Sequence, residues 1–217
     1  MSASAEAPRP TRSYRREPDE KQERLLDAAR HVFAAKGFTD ATTAEIAAAA
    51  GVSEGILFHH FGSKRELFAN AAAAYGRGLA QAMFGAEPGT ELVSAPDAIR
   101  RAFAYVRVNR RLHRLFLMRD PQLAESLHDQ PRAEIVGALE AEFRRGALQG
   151  VLRPMDARIA AELMYALVGG ALEACFAIDS GAREEEYLRE TIQCVAGALM
   201  PLAAPHRAPP SGGSAQE

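Results

Sequence analysis

The chain has 217 residues, of which 47% are hydrophobic and 25% charged, and its formal net charge is −2. That length supports one or two domains with a sizeable core, and that composition excludes disorder over most of the chain. The near-neutral balance excludes a uniformly basic nucleic-acid coat, and no uncharged apolar run reaches the roughly 18 residues that a conventional membrane span needs.

Alanine dominates with 44 copies, Trp is absent, and β-branched residues are thin. Alanine is the best helix former and poor strand material, so an all-α fold is expected. The two cysteines, Cys175 and Cys194, have no metal-ligand spacing, which predicts reduced thiols in a cytoplasm, no metal and no cofactor. Residues 1–16 lack the apolar core of a secretory signal.

Residues 1–18 are rich in Pro, Ser, Ala and Arg and are expected to form a disordered basic arm. A first helix is predicted from about Asp19 to Lys36, stopped by Gly37. Thr42-Thr43-Ala44-Glu45 is a capping box that opens a second helix, and Gly51 stops it. Ser53 caps a short third helix through about His60. A second capping box, Ser63-Lys64-Arg65-Glu66, opens a long helix to roughly Met83, and 85–90 reads as a loop. Later helices are predicted to start at Ser94, at Asp120-Pro121 or Gln130-Pro131, at Asp156 (running to Asp179) and at about Arg183 (running to Met200). Residues 203–217 read as a tail. The sum is about nine helices and no strand.

The stretch 42–61 carries the functional signal. Two short helices that cross steeply need a small residue at the contact, here Ala47, and a turn residue tolerant of positive φ, here Gly51. They also need apolar seats before, in and after the turn, supplied by Ile46, Val52 and Leu57. These five features stand at the spacings of a helix-turn-helix. Its second helix, Ser53 to His60, would lie in a DNA major groove and offer Glu54, Gly55, Ile56 and His59 to base edges. Glu54 suits a cytosine amino group and Ile56 a thymine methyl, while Gly55 lets the backbone approach. Thr42, Thr43, His60 and Lys64 are the candidates for gripping phosphates.

Residues 19–78 resemble the DNA-binding domain of the tetracycline-repressor (TetR) family of bacterial transcriptional regulators. The resemblance rests on Ala28-Ala29, Phe33, Gly37-Phe38, Thr42, Ile46-Ala47, Ala50-Gly51-Val52-Ser53, Gly55, Leu57-Phe58, His60-Phe61, Ser63-Lys64 and Leu67. The family usually has Tyr at the position of Phe58, whose phenol reaches a phosphate, and often Thr at that of Ala41. The resemblance implies a DNA-binding set of Thr42, Thr43, Ser53, Glu54, Gly55, Ile56, Phe58, His59, His60 and Lys64. Up to Tyr75 the basic and acidic residues number ten each, so DNA binding requires the basic ones to converge on one face. The arm arginines Arg9, Arg12, Arg15 and Arg16 are candidates for a minor groove.

For residues 79–202 the resemblance implies a larger helical domain with a dimer interface and a ligand pocket. The segment Asp156 to Asp179 is apolar on more than one face and so needs more than one partner layer. With the last helix it predicts a homodimer interface of Ile159, Leu163, Leu167, Gly170, Ala174, Ile192, Val195 and Leu199. The pocket candidates are Phe84, Phe103, Tyr105, Arg107, Arg110, His113, Phe116, Met164, Tyr165 and Phe176, which suit a small hydrophobic or amphipathic effector. Glu134, Glu140 and Glu142 read as a solvated charge run.

The expected function is that of a ligand-released repressor that binds a pseudo-palindromic operator in double-stranded DNA as a dimer. The alternatives are an activator, or a helix-turn-helix regulator controlled by a protein partner. No phosphate loop, HExxH or nucleophile elbow is present, so an enzyme is not expected.

Overall fold

The computed structural model describes residues 16–85, 92–117 and 126–199. Among these residues there are nine α-helices, one π-helical turn and no strand, in line with the all-α expectation. The arm up to residue 15, the loop from residue 86, Asp120-Pro121 and the tail beyond residue 202 lie outside the described residues.

Helix α1 (Arg16–Asp40) starts three residues before the predicted Asp19. Gly37, at φ 78° and ψ −178°, breaks it where the sequence predicts a stop, and a last turn continues to Asp40. Then come α2 (Thr43–Ala50), α3 (Glu54–Phe61) and the long α4 (Lys64–Phe84). Ser94 caps α5 (Ala95–Val108) by accepting a hydrogen bond from the Asp97 amide, and α6 (Arg110–Leu117) follows directly.

Helix α7 (Ser126–Leu148) corrects the prediction, because it opens neither at Asp120 nor at Gln130 and contains Pro131 inside it. Helix α8 (Ala157–Glu173) is capped by Asp156 as expected but gives way to a π-helical turn (Ala174–Ile178) before α9 (Glu184–Leu199). The segment Ala157–Phe176 is the one described helical stretch long and apolar enough to cross a membrane by composition, although it carries Arg158, Glu162 and Glu173.

The chain divides into two compact units. One joins the residues up to Gly76 with Arg111–Arg132, and the other joins Arg77–Arg110 with the residues from Ala133 on. The first unit therefore includes helix α6, which sequence order alone assigns to the larger domain. Its core is built on Leu25, Phe33, Ile46, Leu57, Phe68 and Tyr75, all within 1% of complete burial. The Phe68 ring meets those of Phe33 and Phe116 edge-on, each at 5.1 Å. In the second unit α9 packs on α5 and α8, and the rings of Phe103 and Phe176 approach to 5.9 Å.

His113, on α6, is buried in the first unit, and its Nδ1 lies 3.1 Å from the Tyr75 hydroxyl. Burial disfavours the imidazolium and lowers its pKa to about 4. The unfolded chain takes up this proton first, near pH 6.5. Stability from this site is thus complete above that pH and is lost as pH falls toward 4. Replacing His113 by Gln should remove about 2–3 kcal/mol of the stability difference between pH 7 and pH 4.5. Urea unfolding at both values checks this, and identical pH slopes in the two proteins would contradict it.

Candidate nucleic-acid interface

Local chemistry builds the α2–α3 pair. The Thr42 side chain accepts from the Glu45 amide, and the Glu45 carboxylate accepts from the Thr42 amide at 3.2 Å, which completes the capping box. The Lys36 ammonium reaches the same carboxylate at 2.5 Å. That bond first, and then the Thr42 amide, holds the Glu45 carboxyl below its usual pKa. Gly51, at φ 68° and ψ 34°, ends α2 in the left-handed region that L side chains rarely adopt, and its amide returns to the Ala47 and Ala48 carbonyls. Ser53 caps α3 by accepting from the Ile56 amide. Ile46, Ala47 and Leu57 are buried at the joint between the two helices.

With Ile46 and Leu57 turned inward, the other side of α3 is left outward. Thr42, Ser53, Glu54, Gly55, Phe58 and His59 are exposed, and Thr43, Ile56, His60 and Lys64 are half-buried. None of the ten predicted residues is in the core, and all belong to the first unit. A Cβ at Gly55 would meet only the Ser53 Oγ, at 3.9 Å, so this face stays low and open. The large apolar ring of Phe58 is 43% exposed, with no hydroxyl to offer.

Two side chains already have partners that spacing alone does not reveal. The Thr43 hydroxyl donates to the Glu54 carboxylate, linking the first turns of α2 and α3. Lys64 donates to the Thr39 carbonyl at 3.1 Å and stands 4.8 Å from the centre of the Phe38 ring. The His59 and His60 rings stack edge-on at 5.7 Å. Among the described residues no three metal-ligating side chains come together.

The ten pocket candidates do not converge. Phe84 and Met164 line a cavity of about 270 Å³ in the second unit, walled by α4, α5, α7, α8 and α9. Phe103 and Phe176 are packed core, Tyr105 and Tyr165 are half-buried, and Arg110 is exposed. Arg107 is exposed and pairs with Glu184 at 3.2 Å. His113 and Phe116 belong to the core of the first unit. The sequence reading missed the cavity's charged residue. Glu142, read as part of a solvated run, is only 6% exposed, accepts from the Val93 amide at 2.9 Å and pairs with Arg145. Its register was the available signal, since it follows the buried Ile135 and Leu139 by seven and three residues on one helix face. Its neighbours in that run are half-buried and paired instead of freely solvated, Glu134 with Arg77 and Glu140 with both Arg144 and Arg158.

The interface candidates on α8 are outward. Ile159 is 59% and Leu163 67% exposed, and Leu167 and Gly170 continue the stripe. Ala174 and Ile192 are half-buried, and the Leu199 side chain lies outside the described residues. Val195 is a correction. It is 1% exposed and lines the cavity, so it serves the interior of the protomer.

Known proteins match this arrangement. The family described as bacterial regulatory proteins, tetR family, matches residues 25–71. The regulator SrpR of Pseudomonas putida is 45% identical over 51 residues, 24% of each chain. The transcriptional repressor AcnR of Corynebacterium jeikeium is 42% identical over 53 residues, 24% of this chain and 28% of its own. These matches thus span about a quarter of the relatives' length. In fold, a TetR-family transcriptional regulator from Rhodococcus sp. aligns over 84% of this chain and 100% of its own, with a TM-score of 0.68 at 21% identity.

Proposed function

We propose, from the match of residues 25–71 to the tetR family of bacterial regulatory proteins, that the chain is a TetR-family transcriptional repressor that binds a pseudo-palindromic DNA site as a homodimer and leaves it when a small effector binds. The observation that carries this reading is the capped, exposed amino-terminal turn of α3, held on a buried joint beside the exposed Thr42. Such a helix fits a major groove and presents Glu54, Gly55 and Ile56 to base edges. Repression is favoured by the likeness to AcnR, whose name is that of a transcriptional repressor. Dimer formation is supported by the exposed apolar stripe of α8, which water disfavours. Control by an effector is supported by the cavity in the second unit. Helix α4 contributes residues to both units, so it is the element through which an effector would bias DNA affinity by its differential affinity for two conformations.

In-vitro selection from a random duplex library with the purified chain tests the reading. The expected product is a palindrome whose half-sites lie about one DNA turn, or a multiple of it, apart. Recovery of no consensus from folded protein would overturn it. Within the same experiment, Glu54→Ala should change base preference at one position of each half-site, costing about 1–3 kcal/mol of discrimination per contact. Thr43→Val should produce a weaker form of that change, because the hydroxyl that fixes the carboxylate is gone. Lys64→Ala should lower affinity at all sequences alike, since an ammonium has two further donors beyond the one on Thr39. An unaltered consensus with Glu54→Ala would count against Glu54 as a base reader.

A further inference from the structure

The cavity of about 270 Å³ is smaller than most pockets for drug-sized molecules, and its wall is almost wholly apolar, with Met83, Phe84, Ile99, Phe143 and Met164 among its residues. Among the described residues, Glu142 is the only ionisable one on that wall. Its carboxylate does not swing freely, because the Val93 amide holds Oε1 and Arg145 holds Oε2. Each carboxylate oxygen has acceptor capacity for more than one donor, so the group can still bind a ligand. Glu142 lines both this cavity and the neighbouring groove between α4 and α7, whereas Arg145 lines the groove alone. A molecule inside therefore faces the negative end of the pair against apolar walls, where charge is weakly screened.

Resting on the effector reading above, we propose that this cavity takes a compact apolar ligand with a single donor group, of the alkylamine type, which Glu142 receives, and that it discriminates against carboxylates. A primary ammonium supplies donors to the carboxylate while its chain covers the apolar wall. A ligand carboxylate would bring like charge to a buried carboxylate and lose its own hydration without a partner.

The test uses calorimetric titration of the full chain with n-octylamine, n-octanol and sodium octanoate. Octylamine should bind at least about tenfold more tightly than octanoate, the ratio expected of one charge-assisted hydrogen bond. Glu142→Gln should bring the two within about threefold of each other. Ala98→Leu, which fills the cavity, should abolish binding of all three probes. The comparison on the unaltered chain keeps the test decisive even where a variant fails to fold. Octanoate binding as tightly as octylamine, or no probe binding at all, would overturn the proposal, as would octylamine binding untouched by both substitutions. Octylamine that binds as expected yet leaves DNA affinity unchanged would uphold the ligand class and sink the effector reading alone.

Discussion

Leucine in place of Gly170 should leave the protomer folded and separate the proposed dimer. A Cβ at this position meets nothing within 4 Å in the protomer, and the residue lies on the exposed side of α8. Exchanging Gly for Leu inside a helix even gains propensity, somewhat less than the roughly 0.8–1 kcal/mol that separates Gly from Ala. A second α8 laid along Ile159, Leu163, Leu167 and Gly170 would approach most closely at the glycine, and the added side chain holds it off. Overpacking costs about 1–3 kcal/mol per site, and a two-fold axis doubles it, so the dissociation constant should rise at least about 30-fold. Sedimentation equilibrium reads this directly. Leu163→Asp provides an independent version, placing a charge in the same stripe where the leucine is 67% exposed and little protomer packing is lost. If both variants sediment as the parent does, the stripe is not the interface.

Leu57→Ala carries the other large effect. Leu57 is completely buried, Ile46 and Ala47 are buried on the α2 side, and with Phe61 it is one of the two buried residues of α3. Truncating a fully buried leucine removes its transfer free energy and leaves a cavity, at a cost of about 2–5 kcal/mol. An eight-residue helix has little stability of its own and depends on that packing. The expected result is a lowered denaturant midpoint together with loss of specific DNA binding, while dimer formation through α8 persists. An unchanged midpoint would mean that α3 is held by contacts other than this joint.

The helix-turn-helix was legible in the sequence because its signals are local. A cap, a partner three residues on and a glycine that must take positive φ all fall within 20 residues, and the capping hydrogen bonds follow that spacing. What escaped was set by contacts distant in sequence. The attachment of α6 to the first unit depends on His113 meeting Tyr75 and Phe116 meeting Phe68, pairs 38 and 48 positions apart. Periodicity identifies apolar faces but not which neighbour covers them. Val195 and Ile159 therefore looked alike, although one lies inside the protomer and the other outside. The same limit scattered the pocket candidates. Glu142 was missed for the opposite reason, since charge argues for solvent until a half-buried amide and guanidinium are known to face it. The start of α7 escaped because a proline inside a helix is uncommon enough to read as a beginning.

The capping box of α2 also divides labour at the amino end of that helix. A free helix start offers four amide hydrogens to an incoming anion. Here the Glu45 amide is taken by Thr42 Oγ1 and the Ile46 amide by the Thr42 carbonyl, while the Thr42 amide just ahead of the helix is taken by the Glu45 carboxylate. The two amides that remain to greet a phosphate oxygen are those of Thr43 and Ala44. Neutral and fixed in direction, they would set the angle at which a sugar-phosphate strand crosses the protein while releasing no counterions. The ionic-strength dependence of binding would then report on mobile cationic side chains, and the docking angle on a backbone that salt does not touch.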